Sequence, residues 1–437
     1  MDQPKLSSYR WVILVLVCLV CFLSNFMQYQ VSALAVYIMP MFSIDEAGFS
    51  MLMLMPMLTA VFLSIPMGML GDRIGPKKVV ASCMVVAILG GFLRTFGSGF
   101  PAQMLSMFML GAGISALNAN LIKIFGTWFK NKAQLAMGFF YASSSLGVVA
   151  ANIIAPMIGD VFSNYLASAI ALTIVGALWL AALRDAPKGE ALAISEGGSW
   201  AAFKVAAKSK NVWLIGLNYG LCLAAVTAFA SLTPQVLVLQ CGLDPVTAGT
   251  IASAAAIGSL LGELIGGGIG IKLGKWRPFI VVTVLIGALL MTYFWAGVVM
   301  PGKVPSVGLL IGIQVLAGAF GALKGPLVQA MPYALPEIRG KYAGSAGGII
   351  GTIGLLCSYA IPVSVSAITV GNYTMNLALE TLIFALSCIF ILMVPELGPR
   401  ARSRQRSLRA KPHSRILLSR DPSFLAAASD SPVGCGG

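Results

Sequence analysis

Twelve runs of roughly twenty apolar residues, separated by glycine, proline and clustered charge, decide what solvent this chain can fold in. They cover residues 11–36, 49–70, 79–97, 102–122, 134–156, 165–184, 211–234, 247–270, 279–299, 306–330, 342–366 and 375–394. A helix needs about 20 such residues to cross about 30 Å of hydrocarbon. Backbone groups there must pair internally, so each run is read as a helix. Composition agrees: 58% of the 437 residues are hydrophobic and 10% charged, against about 25% charged in an average soluble domain. A water-soluble globular protein is excluded. The first run is longer than a signal segment and eleven more follow, so it is kept as a helix.

Histidine removes further classes. The single one, His413, sits in a basic tail, so neither a histidine-based triad nor a zinc or haem site can be assembled. No enzyme and no cofactor is expected. Six of the eight cysteines lie within apolar runs. Cys18 and Cys21 stand one helical turn apart with no polar neighbour to lower a thiol pKa, and they read as small packing residues.

The formal charge of +14 would suggest nucleic acid in a soluble chain. Here the cations cluster in short loops between apolar runs, the footprint of membrane topology, so no nucleic-acid partner is expected. With both ends cytoplasmic, one side of the membrane collects Arg10, Arg73, Lys77, Lys78, Lys123, Lys130, Lys132, Lys204, Lys272, Arg277, Arg339 and Lys341. The other side has Lys303 and, near a helix end, Arg94. That asymmetry implies an even number of spans and a multi-pass protein of the plasma (inner) membrane. The arginine-rich tail has no apolar periodicity and reads as disordered, with anionic lipid as a partner.

The chain also repeats itself. An offset of 206 lays Leu110-Gly-Ala-Gly-Ile-Ser-Ala-Leu117 on Leu316-Ala-Gly-Ala-Phe-Gly-Ala-Leu323, Gly138 on Gly344 and Pro156 on Pro362. An offset of 199 lays Gly71-Asp-Arg-Ile-Gly75 on Gly270-Ile-Lys-Leu-Gly274. The fold class expected is an all-α integral membrane protein of twelve transmembrane helices in two pseudo-symmetric six-helix bundles. The bundles are residues 1–184 and 211–396, with a central cytoplasmic loop at 185–210 and the tail at 397–437. Parallel halves of this kind make a transporter with its site between them.

Between the second and third spans, Gly68-Met-Leu-Gly-Asp72-Arg73-Ile-Gly75-Pro-Lys77-Lys78 resembles the signature loop of the major facilitator superfamily, with Pro76 where that family has an arginine. The stretches Leu121–Phe129 and Leu335–Gly348 look like the corresponding loops of the cyanate permease and nitrate/nitrite porter group. The resemblance implies two bundles rocking about a central cavity lined by spans one, four, seven and ten. It also implies a gate in which Gly68, Asp72, Arg73 and Gly75 take part, Asp72 meeting the start of the eleventh span near Tyr342 where the helix dipole favours an anion. The alternative is a solvated, positively charged loop.

Candidate substrate contacts follow from polar residues in apolar spans, which are costly unless they face protein or water. In the first span Asn25, Gln28, Tyr29 and Ser32 form one stripe. It reads as cavity lining or as interhelical glue. Asn118 in the fourth span, Tyr141 in the fifth, and Asn218 with Tyr219 in the seventh repeat the pattern more weakly. Glu263 and Lys324 are placed at similar depth in the eighth and tenth spans, with Gln314 and Gly321 on the face assigned to Lys324. Three readings stand: a structural ion pair, an anion-binding lysine with Glu263 as coupling group, or a lysine snorkelling to the surface. Gly258, Gly262, Gly266 and Gly270 recur every four residues and read as a packing face.

The leading function is secondary active transport of a small anion, inorganic or a small carboxylate, by alternating access. A proton or a second anion is the co- or counter-transported ion expected. A proton-coupled drug or metabolite exporter of the same family is the alternative, and the first half has no carboxylate within its spans to favour it. A receptor or scaffold that transports nothing would need a larger soluble domain than the loops offer.

Overall fold

The computed structural model describes residues 8–129, 133–186, 200–304, 306–338 and 342–398. Among them the chain forms helices α1 (Arg10–Ala33), α2 (Ala35–Phe42), α3 (Glu46–Ile74), α4 (Pro76–Phe96), α5 (Phe100–Phe129), α6 (Ala133–Ile158) and α7 (Val161–Ala182). A short α8 (Trp200–Lys208) leads into α9 (Lys210–Leu239), α10 (Pro245–Leu273) and α11 (Trp276–Phe294), which continues as a π-helical turn over Trp295–Val299. Then come α12 (Val307–Ala322), α13 (Gly325–Ala334), α14 (Ala343–Ile368) and α15 (Tyr373–Met393). Taking α12 with α13 as one span, 12 segments are long and apolar enough to cross a membrane. The face on which α1 begins and α15 ends is called the terminal face below, and the other the opposite face.

Local chemistry starts most of the spans that leave the opposite face. Asp45, Asp160, Asp244, Ser306 and Asn372 each accept a hydrogen bond from the backbone N–H three residues on, capping α3, α7, α10, α12 and α15. Such caps satisfy donors that a helix leaves unpaired at its start. On the terminal face two helices are capped from a distance. Asp185, just after α7, accepts from Lys77 N at 2.7 Å at the start of α4. Glu396, just after α15, accepts from Trp276 N at 2.8 Å and Arg277 N at 3.1 Å at the start of α11. The acid that follows the last span of each half thus caps the third span of that half.

Buried apolar side chains form two clusters, one drawn from Ile13 to Leu183 and one from Ala206 to Leu397. Within the second, α10 and α12 touch through bare backbone: a side chain at Gly258, Gly262 or Gly266 would run into the carbonyl oxygen of Val315, Ala319 or Leu323. Gly318 stands in the same way against Ala255 O. The glycine ladder is therefore a packing face, which lets two helices approach closely in lipid. In the first cluster the matching seam joins α3 to α5. It has one such approach, Gly111 against Pro56 and Thr59, and nearer the terminal face Asn120 reaches across it. Asn120 donates to Met67 O at 3.1 Å and to Ala116 O at 2.9 Å, in space left free by Gly71.

Candidate functional site

A cavity of about 190 Å³ lies between the two clusters. It is walled by α1 and α6 from the first half and by α9, α10, α11 and α12 from the second. Its polar lining is Asn25, Tyr29, Ser144, Ser145, Asn152, Thr233, Ser259 and Gln314, and among the described residues no charged side chain lines it. Several of these are already committed: Asn25 donates to Cys21 O at 2.9 Å, Asn152 to Val148 O at 3.2 Å, and Thr233 to Phe229 O at 2.7 Å. Tyr29, Ser145 and Gln314 carry no such bond among the described residues, so the two hydroxyls and the Gln314 carboxamide are donors left for a guest.

Toward the opposite face the cavity is sealed. Ser32 on α1 donates to Ser231 O on α9 at 2.7 Å, and the Ser50 and Ser366 hydroxyls pair at 2.8 Å between α3 and α14. Gly249 of α10 lies on the Asn152 carbonyl of α6 so closely that a side chain there would collide. Toward the terminal face Gly344, Gly347, Gly348 and Gly351 of α14 have no neighbour within 4 Å of where a Cβ would stand, and neither has Gly138 of α6.

One to two turns below the cavity on that side, Tyr141 of α6, Tyr219 of α9 and Glu263 of α10 gather. The three side chains lie near enough to one another to interact electrostatically. This cluster spans the two halves.

Several expected site residues are elsewhere. Gln28 is buried and donates to Met53 O at 3.4 Å, joining α1 to α3. Asn218 is buried and donates to Ser387 O at 2.9 Å, joining α9 to α15. Both are glue within a half, not lining. Asn118 is exposed and off the cavity wall.

Lys324 requires the largest correction. Its ammonium donates to Gly321 O and sits 4.7 Å from the centre of the Phe384 ring of α15, behind the wall that Gly321 helps form. The helix breaks between Ala322 and Gly325. Lys324 is also about 80° round the helix from Gln314 at 3.6 residues per turn, so the shared face does not hold. Glu263 and Lys324 turn to different neighbours, and no ion pair joins them among the described residues.

In the gate, Gly68 O accepts from Lys123 Nζ at 2.5 Å, Arg73 is exposed, and Gly75 has φ 89°. The side chain of Asp72 lies outside the described residues, as do Arg339, Lys341, His413 and the tail beyond residue 398.

The structure also shows lining that sequence reading passed over: Ser144, Ser145, Asn152, Thr233 and Ser259. It also reveals Glu380 of α15, 0% exposed with neither carboxyl oxygen paired. The Ser143-Ser-Ser145 run inside an apolar span was the available signal for the first group.

A protein named "Probable nitrate transporter NarT" from Staphylococcus epidermidis is 25% identical over 353 residues, 79% of this chain and 86% of that one. "Agnestins efflux protein AgnL12" of Paecilomyces divaricatus is 24% identical over 347 residues, 75% of this chain and 73% of its own. The inward-facing, occupied structure of a bacterial homolog to the human lysosomal transporter Spinster superposes with a TM-score of 0.69 at 14% identity, covering 90% of this chain and 97% of that chain. The model of the Major Facilitator Superfamily matches residues 14–362. The chain belongs to the major facilitator superfamily.

Proposed function

We propose that the protein carries a small inorganic anion across the plasma membrane by alternating access, nitrate being the cargo named for its staphylococcal relative. The observation that carries this reading is the size of the central cavity. About 190 Å³ falls below the roughly 300–1,000 Å³ of pockets that hold drug-sized ligands. It leaves room for a small ion with a few waters. The lining supports an anion by dipoles alone: the Tyr29 hydroxyl and Gln314 carboxamide donate, and no carboxylate is among the described lining residues. Lys324 stands behind the wall, and neutral donors suit a site that must also release its cargo.

The positive-inside rule places the terminal face, with Arg73, Lys77, Lys78 and Lys123, in the cytoplasm. The sealed opposite face then makes this an inward-facing arrangement. Turning outward requires the Ser32–Ser231 and Ser50–Ser366 contacts to part while residues 1–184 and 211–396 rock as units. Glu263, near Tyr141 and Tyr219 on the cytoplasmic side, is the group we assign to the coupling proton.

Uptake of labelled nitrate into proteoliposomes, run beside efflux of a cationic dye, is the test. Nitrate flux that falls roughly tenfold in Gln314→Ala matches loss of one hydrogen bond to a charged guest. Dye efflux without nitrate flux would give the function to the exporter reading, which the fungal efflux relative represents.

A further inference from the structure

A second cavity, of about 480 Å³, lies at the opposite face wholly inside the first half, among α2, α4, α5 and α7. Arg94 and Tyr165 line it. Arg94 is 2% exposed, so its guanidinium is out of bulk water. Two of its nitrogens are spoken for: Nη1 donates to Met27 O of α1 at 2.8 Å and Nη2 to Ser168 Oγ of α7 at 3.1 Å. The group lies 4.1 Å from the centre of the Tyr165 ring. Those contacts fix its plane and keep it from snorkelling. Its third nitrogen, Nε, has no partner, and neither has the Tyr165 hydroxyl, though both atoms are buried.

No carboxylate lies within ion-pair distance of the guanidinium among the described residues. Burying an unpaired charge costs several kcal/mol. The C-terminal end of α4, where Arg94 sits, offsets about half a unit charge through its dipole, which leaves the rest unanswered. The same cavity receives the start of α5 at Phe100, whose first turn carries no acid, and the start of α7 at Val161. Helix starts present N–H groups and a positive dipole end, which favour an anion. Asp160 also lines the cavity, but its carboxylate is turned to Ser163 N at 2.7 Å as the cap of α7. The Ser163 hydrogen bonds hold that carboxyl below its ordinary value, so it is charged at neutral pH and keeps a multivalent anion at a disadvantage.

From these features we infer that this cavity is a second anion site, built for a free monovalent anion of halide or nitrate size: Arg94 and Tyr165 line it, and their unpaired Nε and hydroxyl, which lie just beneath its wall, reach the guest by a small side-chain shift. It is separate from the central cavity and does not rest on the transport reading. The same guanidinium grips Met27, between the cavity-lining Asn25 and Tyr29 of α1, so occupancy would steady the helix that forms one wall of the central site.

The test is a crystal structure of the full chain grown with bromide and located by anomalous scattering. The expected result is a bromide within hydrogen-bond distance of Arg94 Nε and Tyr165 OH. In solution, bromide should raise the unfolding temperature in detergent. Its apparent affinity should weaken roughly tenfold in Tyr165→Phe, which removes one hydrogen bond to a charged ligand while keeping the ring under Arg94. A resolved guanidinium with no bromide beside it overturns the inference. So does a lipid phosphate in its place, or unchanged bromide affinity in Tyr165→Phe.

Discussion

The two halves solve one packing problem in different ways. The seam between the second and fourth spans of a half is made in the first half by one close glycine, Gly111, and by Asn120 bridging to Met67 O and Ala116 O. In the second half the same seam is a ladder, Gly258, Gly262 and Gly266 against three successive carbonyls. Yet the caps on the terminal face, Asp185 and Glu396, are the same device twice. Caps answer a fixed number of unpaired N–H groups and so have few solutions, whereas a seam needs only to be filled. The halves are therefore free to differ in stiffness along their seams while keeping their helix starts alike.

The difference can be broken most forcefully at Gly262. Gly262→Val should cost about 3 kcal/mol or more, because overpacking against a backbone carbonyl cannot be relieved by rotating a side chain. Thermal unfolding in detergent measures it. A near-neutral result would mean that the ladder is not a rigid contact.

A smaller effect is expected on the first-half seam. Asn120→Ala should cost about 1–2 kcal/mol, as two hydrogen bonds to main chain are lost. Gly71→Ala alone collides with the Asn120 carboxamide, so combining it with Asn120→Ala should be less harmful than the sum of the two changes. A double-mutant cycle with no coupling would show that the side chain does not occupy that space.

The smallest effects test the shared device. Asp185→Ala and Glu396→Ala should each lose about 1 kcal/mol. Glu396 should be the larger, since it accepts from two backbone N–H groups of α11 where Asp185 accepts from one of α4. Losses that differ several-fold would sharpen the comparison by making one half depend on its cap more than the other.

The twelve spans were legible because hydrophobic length is a local property, and twelve helical segments long and apolar enough stand among the described residues. The central site was legible only in part. In α1 the polar stripe included Asn25, Gln28 and Tyr29, but a stripe of that width has two edges. Asn25 and Tyr29 face the cavity while Gln28 turns to α3. Which edge is wet is decided by the neighbouring helices, information that no single span carries. Lys324 was misplaced because periodicity assumes an unbroken helix and α12 ends at Ala322. Ser144 and Ser145 were passed over because serine in a helix so often bonds to its own backbone, as Ser143 does with Phe140 O. Arg94 looked like an interfacial residue at the end of a span. Its burial depends on Met27, Ser168 and Tyr165, distant in sequence.

The face of α14 that carries Gly344, Gly347, Gly348 and Gly351 has a mechanical consequence. A helix without side chains on one side behaves as a smooth rail: another helix can come up to it or withdraw without any rotamer having to change. The energy separating the two positions is then governed by what happens at the far end, where Ser50 and Ser366 hold hands. The latch and the rail sit on the same helix, one at each end, so α14 can act as the lever through which closing one mouth frees the other.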